Sequence, residues 1–354
     1  MADAEPLLIG MLHDHGGGFD DDVVERCLRL PFDELATDGR LDRPLELVHE
    51  VGEGLPRGSA RAVERAFAAL DERGVLAIVG PAVSDNGLVV RDLADAAGVP
   101  TLNYTGSEDT RGRFGFHYQI GSLEEEPYVL VRHLLAQDHR SVSLVHDASP
   151  IGRRYTSYFD DACATFGVEQ LGRTVVPPLA EDLDDRGPAI AASGADAVVY
   201  LGLGLAAHAL GVALRAAGST RPVFANSALM FGYPNPSWTE DWEGWVYCDT
   251  VSEGNAELRR VRDTLGLGDT AFTPGVPGNY DMGRLLAEGV SRAPILTREG
   301  LVEGLERVKM LPAASGRPGT TMGFGRWERS ALKGPYLVLR AWRGGRSVEV
   351  DATE

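Results

Sequence analysis

At 354 residues the chain is longer than one typical domain, and two domains are the expectation. Hydrophobic residues at 44% and charged residues at 24% are those of an ordinary globular chain and exclude global disorder. With 52 acidic against 34 basic residues the net charge is −18, which repels phosphate backbones and anionic membrane surfaces and disfavours nucleic acid as the main partner.

The stretch Met1 to Pro6 carries two acids and runs directly into an apolar strand, with no basic n-region, h-region or small-residue cleavage site. If the native protein starts here, the cytoplasm is its expected location. No segment reaches the ~18–20 consecutive apolar residues that cross a bilayer, so no direct membrane span is expected. Leu7–Leu12, Leu45–Val51, Val75–Val79, Ser141–His146, Ala197–Leu201 and Val223–Ala225 read as buried strands bounded by Gly, Pro or Asp. Amphipathic stretches lie between them. Ser59 stands at an N-cap position, Val63, Ala66, Phe67 and Leu70 follow at helical spacing, and Gly74 closes the helix. Leu88–Ala97 ends at Gly98, and Leu205–Ala217 ends at Gly218. This alternation predicts an α/β fold, with parallel sheets covered by helices on both faces. The stretch Gly74–Asn103 is echoed by Ala195–Asn226, each running strand, small-residue loop, helix, Ala-Ala-Gly, strand and Asn, which suggests two lobes of similar local architecture. From Met230 to Thr250, Pro234, Pro236, Trp238, Trp242 and Trp245 predict a packed loop leading into a strand. Cys27, Cys163 and Cys248 are odd in number and far apart, with neither metal-ligand spacing nor a disulfide framework.

His13-Asp14-His15, followed by Gly16-Gly17-Gly18, sits at the carboxyl end of the first strand, where open α/β sheets place ligands. Imidazole and carboxylate suit a transition metal. Alternate residues of an extended loop point to opposite sides, however, so the other reading is a glycine-loosened loop giving one or two polar ligand contacts. No dinucleotide fingerprint, Walker lysine or G-x-S-x-G elbow occurs, and no cofactor is expected. Ser84-Asp85-Asn86 opens a helix after the Gly80-Pro81 turn. Its free N–H groups and hydroxyl make either a carboxylate or phosphate site or a plain N-cap. Tyr104-Thr105-Gly106-Ser107 follows the next strand at the same sheet edge and tips the balance toward a ligand site. Glu124-Glu125-Glu126 reads as a solvated helix start, with a ligand cation at the hinge as the alternative. Asp184-Asp185 and Asp20-Asp21-Asp22 read as helix-start or surface charge.

Taken in order, Leu8-Ile9-Gly10-Met11-Leu12, Ala77-Ile78-Val79-Gly80-Pro81, Ala97-Gly98-Val99-Pro100 and Val145-His146-Asp147 with Gly152 make a pattern over most of the chain. It continues through Asp196-Ala197-Val198-Val199-Tyr200, Tyr280-Asp281, Met322-Gly323-Phe324-Gly325-Arg326-Trp327 and Leu332-Lys333-Gly334. It resembles the type I periplasmic binding proteins, in the leucine/isoleucine/valine branch of ABC-transporter receptors. The resemblance implies two doubly wound parallel-sheet lobes joined by three crossovers, near Gln119–Gly121, Tyr247–Thr250 and Gly323–Trp327, with a ligand cleft between the lobes that closes by a hinge. Lobe one would be 1–120 plus 251–324, and lobe two 121–250 plus 325–354. It further implies that Ser84 takes a ligand carboxylate, that Thr105 and Ser107 hold carboxylate and ammonium, and that Tyr280 is a cleft aromatic. Ile151 stands where the family has a lobe-two tyrosine, Ser227 or Ala228 where it has the ammonium-binding acid, and its disulfide has no counterpart here. A buried ammonium without a counter-charge is costly, so an apolar or aromatic carboxylate or an amide becomes an expected ligand, with His13, Asp14, Asn226 and Phe231 lining the cleft.

The expected function is therefore a non-enzymatic solute-binding protein serving an ABC-type permease, placed outside the cytoplasm by the resemblance. A cytoplasmic sensor or regulatory subunit with the same cleft is the second reading, and a metal-assisted enzyme through His13, Asp14 and His15 the third. The acidic surface and apolar helices permit a homodimer.

Overall fold

Strands buried on both faces are apolar at most positions, with any polar group they carry hydrogen-bonded, and this governs which elements sit at the centre of each sheet. The computed structural model describes residues 5–15, 21–268 and 275–350, so Gly16–Gly18, Asp20 and most of the Met1–Pro6 stretch lie outside the described residues. In chain order the elements are β1 (Leu7–His13), α1 (Asp21–Thr37), β2 (Leu45–Val51), α2 (Ala60–Glu72), β3 (Ala77–Val79), α3 (Ser84–Ala97), β4 (Thr101–Thr105) and β5 (Gly115–Gln119). There follow α4 (Glu126–Ala136), β6 (Ser141–Asp147), α5 (Pro150–Phe166), β7 (Glu169–Val176), α6 (Gly187–Ala191), β8 (Ala197–Leu201), α7 (Ala207–Ala216), β9 (Val223–Ala225) and β10 (Val246–Asp249). The last third holds α8 (Ala256–Leu265), α9 (Gly275–Arg292), α10 (Arg298–Glu306), β11 (Leu311–Pro312), β12 (Thr321–Met322), β13 (Leu332–Lys333), β14 (Val338–Arg343) and β15 (Arg346–Glu349).

The chain divides into two units, Met1–Ile120 with Thr250–Tyr336 and Gly121–Asp249 with Leu337–Glu354. In the first, five parallel strands run in the order β2-β1-β3-β4-β5. Val63, Phe67 and Leu70 of α2 pack with Val90 and Ala94 of α3 in one apolar cluster. Cys27 of α1, Val261 of α8 and Val276 and Tyr280 of α9 form another. Ser59 caps α2 by accepting the Ala62 N–H (3.3 Å). Segment 325–336, expected with the second lobe, packs with the first unit because it lies along β5. His117 donates its N–H to Arg329 O (2.8 Å), Ala331 returns an N–H to His117 O (2.8 Å), and the Gln119 carboxamide pairs with both the N–H and the carbonyl of Leu332 (2.8 and 3.1 Å). The third passage between units accordingly falls after Tyr336 rather than near Gly323–Trp327.

In the second unit the order is β7-β6-β8-β9-β10-β14-β15, parallel from β7 to β10 and antiparallel beyond. The central β8 is buried at every position, whereas the terminal β7 exposes alternate residues. The tryptophan-rich stretch forms two 3₁₀ turns, Ser227–Gly232 and Pro236–Trp242, ahead of β10. Trp242 is fully buried and donates its indole N–H to Ala207 O (3.0 Å). The three cysteines are unpaired and buried, with burial pushing the Cys27 and Cys163 thiols up to about 12. Among the described residues no helix is long and apolar enough to cross a membrane.

One side chain ties together two parts of the first unit's second segment, Thr250–Tyr336. Asn255 accepts the N–H groups of Glu257 and Leu258 (2.9 and 3.3 Å) at the start of α8 and donates to the carbonyls of Ala313, Ser315 and Gly316. Losing a cap costs about 1 kcal/mol, and orphaning buried carbonyls costs about 1–3 kcal/mol more. Asn255→Ala is therefore expected to lower stability by about 2–4 kcal/mol in urea denaturation. A loss below about 0.5 kcal/mol would contradict this account.

Candidate functional site

In the first unit strand order reverses between β1 and β3, and the carboxyl ends flanking such a reversal are where doubly wound sheets take ligands. Asp14 follows β1 and is buried. Its carboxylate accepts the N–H groups of Ala82 (2.8 Å) and Val83 (3.0 Å) and the Asn86 amide (2.8 Å). Asn86 in turn holds Leu55 in the loop after β2 through its N–H (2.9 Å) and carbonyl (3.2 Å). Asp14 thus stitches three strand ends together, a structural task that occupies both of its oxygens.

Because Asp14 serves the turn before α3, Ser84 is not the N-cap. That position is Val83, which offers no side chain. The Ser84 hydroxyl instead accepts the Gly106 N–H (3.1 Å) from the loop after β4. Thr105 and Ser107 are fully buried. The Thr105 hydroxyl donates to Asn103 Oδ1 (2.9 Å) and lies 3.0 Å from the Thr110 hydroxyl. Ser107 Oγ accepts the Asp109 N–H (3.3 Å) at the start of a short 3₁₀ turn. Tyr104 packs its hydroxyl against α9, where a Cβ at Gly278 would stand 2.6 Å from it. His117 lies beneath this loop, fully buried, with its Nε2 2.7 Å from Thr105 O and its Nδ1 3.3 Å from Ser330 Oγ. Burial lowers its pKa to about 4, so the ring is neutral and Nε2 carries the proton that Thr105 O accepts.

The histidines beside Asp14 do not join it. His13 Nε2 lies 3.0 Å from His49 Nδ1 with the rings stacked nearly parallel, and His49 Nε2 lies 3.1 Å from Glu25. Asp14 faces α3 while His13 faces β2, and among the described residues no group of three His, Cys, Asp or Glu could hold a metal ion. Tyr280 is also apart from Ser84, Thr105 and Ser107. It borders a groove of about 630 Å³ along α1, α8 and α9, where its hydroxyl donates to Glu257 (3.0 Å) and accepts from Arg260. Arg260 also pairs with Glu34 (2.7 Å), and Arg284 with Glu257 (2.8 Å). Tyr280 is a tie between helices rather than a neighbour of the serine loop.

The second unit repeats the arrangement. The order reverses between β6 and β8, and Asp147 ends β6 just as Asp14 follows β1, each preceded by a histidine. Asp147 accepts the Leu203 N–H (2.6 Å) from the loop after β8 and the N–H and O–H of Ser149, which caps α5 through Gly152 (2.9 Å). Burial raises the Asp147 pKa against these hydrogen bonds. Asn226 follows β9 and exchanges hydrogen bonds with the backbone of Gly202 (2.8 and 3.3 Å). Ile151 is buried in the first turn of α5, Ala228 is buried in the 3₁₀ turn after β9, and Phe231 is half-buried at that turn's end.

Glu126, expected as a solvated helix start, is fully buried. Its carboxylate accepts the Ser122 N–H (2.6 Å), the Tyr155 O–H (3.2 Å) and the Ser227 N–H (2.7 Å). Burial pushes its pKa up to about 7, opposed by the hydrogen bonds from Ser227, Ser122 and Tyr155. Sequence reasoning also passed over His117 and Tyr155, and took Asn86 only as part of the Ser84-Asp85-Asn86 helix start. The recurrence of His-Asp at the end of each first strand was the one available signal for Asp147.

The family model for periplasmic binding proteins matches residues 6–332, and the chain belongs to that family. Solved structures share its fold over nearly the whole length. A type 1 periplasmic binding protein from Bordetella pertussis Tohama I superposes with a TM-score of 0.81 at 17% identity, covering 98% of this chain and 100% of the other. The branched-chain amino acid transporter substrate-binding protein LivJ from Streptococcus pneumoniae, solved with isoleucine, gives 0.80 at 15% identity over 98% and 99%. An ABC transporter substrate-binding protein from Desulfitobacterium hafniense, solved with Leu, gives 0.77 at 20% identity over 98% and 100%. No curated protein matches the sequence.

Two outcomes follow from the first unit's geometry. Asp14→Ala leaves three donors without their acceptor and is expected to cost at least about 3 kcal/mol in urea denaturation, against about 1 kcal/mol for Ser84→Ala. Equal losses would show that Asp14 does not organise the loops. For His117, the folded pKa lies below the unfolded value, so its stabilisation is complete above pH 6.5 and is lost as pH falls toward 4. The stability difference between the wild type and His117→Gln is expected to shrink by about 3 kcal/mol over that window. A difference independent of pH would refute a neutral buried His117.

Proposed function

We propose that this chain is the solute-binding component of an ABC-type uptake system and takes a small carboxylate-bearing, amino acid-like ligand without transforming it. The observation that carries the reading is the meeting of Ser84 and Gly106 at the carboxyl ends of β3 and β4, beside the first unit's strand reversal. There the start of α3 and the loop after β4 bring a hydroxyl and backbone N–H groups to one place, a combination suited to a carboxylate. Thr105 and Ser107 serve this site through the backbone they fix, since their hydroxyls are committed within the loop. In the second unit Ile151 after β6 and Ala228 and Phe231 after β9 are apolar, beside an Asn226 amide committed to Gly202. Such a surface favours an aliphatic or aromatic side chain on the ligand. The leucine and isoleucine held by the structural neighbours belong to the same chemical class.

The test is calorimetric titration and thermal shift with L-leucine, L-isoleucine, L-valine, their 2-oxo acids, aromatic acids and the matching amides. A ligand at about 100 times its dissociation constant adds about 2.7 kcal/mol of stability, which a melting curve resolves. At least one free carboxylate is expected to bind, its amide to bind more weakly, and Ser84→Ala to lose roughly tenfold in affinity, as for one charge-assisted hydrogen bond. Binding that ignores both amidation and Ser84→Ala would remove the proposed carboxylate site, and no binding across the panel would remove the ligand class.

A further inference from the structure

We infer that Glu126 is a positioning residue whose carboxylate locks together the first residues of the second unit and the loop after β9, and that protonating it loosens this lock and weakens ligand binding. The effect on ligand rests on the functional reading above, while the lock rests on geometry alone. Glu126 is the first residue of α4, six positions beyond Ile120, the last residue of the first unit's opening segment, and is fully buried. Ser122 makes a reciprocal pair with this helix start, accepting the Glu125 N–H on Oγ (3.0 Å) while donating its own N–H to Glu126 (2.6 Å). The other carboxylate oxygen takes the Ser227 N–H (2.7 Å), one residue beyond Asn226. At Gly121 a Cβ would run into Glu126 Oε1 and Ser227 Oγ, so the chain passes over the carboxylate as closely as backbone can. One side chain thereby fixes two segments about a hundred residues apart.

The lock has a second position. The Tyr155 hydroxyl donates to Glu126 (3.2 Å) and also lies within hydrogen-bonding reach of Asn226 and Ser227. While Glu126 is ionised, the N–H groups of Ser122 and Ser227 and the hydroxyls of Tyr155 and Ser227 point at it. A proton taken from solvent onto Oε1 makes that oxygen a donor, so Tyr155 must accept there and redirect its own proton toward Asn226 or Ser227. The side chain at the end of β9 is then perturbed by an event one residue away. The titratable groups facing Glu126 are Tyr155 from α5 and Cys248 from β10, with Asp249 beside Cys248. Burial raises the pKa of Tyr155 and Cys248, so both are neutral over the working range. Among the described residues none of the hydrogen-bond partners of Glu126 is basic. With burial holding its own pKa near 7, the proton exchanges in the neutral range.

The experiment follows the backbone amides of Ser122 and Ser227 by NMR, and the L-leucine dissociation constant by calorimetry, from pH 6 to pH 8 on the full chain. In the wild type both amides are expected to titrate together near pH 7, and L-leucine to bind roughly 3–10-fold more weakly at pH 6 than at pH 8. Glu126→Gln abolishes both effects. Tyr155→Phe keeps the amide titration and reduces the affinity change, and it guards against a Gln variant that folds poorly. Amides that do not titrate overturn the lock. Amides that titrate with an unchanging dissociation constant overturn its link to ligand. A wild type that binds L-leucine at no pH takes down the coupling together with the ligand reading, and the amide titration then decides the lock by itself.

Discussion

At each sheet's reversal two neighbouring strands send their chains to opposite faces, and the crevice left between them exposes backbone N–H groups that some acceptor must satisfy. Here the acceptor is an aspartate at the end of the sheet's first strand. Asp14 serves Ala82 and Val83, and Asp147 serves Leu203 and Ser149. Burying a carboxylate is tolerable because each oxygen meets N–H donors. The loops that follow inherit their positions from this. With the turn before α3 already supplied by Asp14, Ser84 is released from capping and can reach across to Gly106. A carboxylate in the wall is thus what leaves a hydroxyl facing the loop.

Much of the α/β alternation was readable because the central strands are apolar at nearly every position. Ala197–Leu201 and Val223–Ala225 are buried throughout and stand in the structure with the bounds read from sequence. Edges were harder. Glu169–Val176 mixes Glu, Gln, Gly, Arg and Thr with Leu and Val because alternate side chains of β7 meet solvent. Gly115–Gln119 is invisible for the opposite reason, since β5 is buried yet carries His117 and Gln119, whose polar groups meet Thr105 O twelve residues back and Ser330 and Leu332 more than two hundred residues on. No local pattern announces a strand whose polarity is answered from so far along the chain.

The candidate site was legible in part. The strand-end loops at Asp14, Ser84 and Thr105–Ser107 do meet, because parallel neighbours must bring their carboxyl ends together. The roles within them were not legible: Asp14 turns inward, and the hydroxyls of Thr105 and Ser107 close on their own loop. Tyr280 opens the pattern Tyr-Asp, yet the two side chains leave α9 on different faces. Asp281 takes the N–H groups of Ala314 and Ser315 (2.7 and 3.0 Å), while Tyr280 meets Arg260 and Glu257. Glu126 was hidden by its company, since three successive glutamates look like solvent-facing charge until tertiary structure buries one of them.

The pairing of Gln119 with Leu332 has a bearing on synthesis. The two residues are 213 positions apart, and at ribosomal rates of about 5–20 residues per second the closing segment emerges roughly 10–40 s after β5. During that interval the nascent first sheet carries an uncovered flank, with the His117 and Gln119 groups exposed and the edge open to pairing with other nascent chains. The second sheet waits as well, since β14 and β15, which pair beyond β10, follow Leu332 in the chain. Both sheets are therefore completed only at the end of synthesis, by one short stretch of chain.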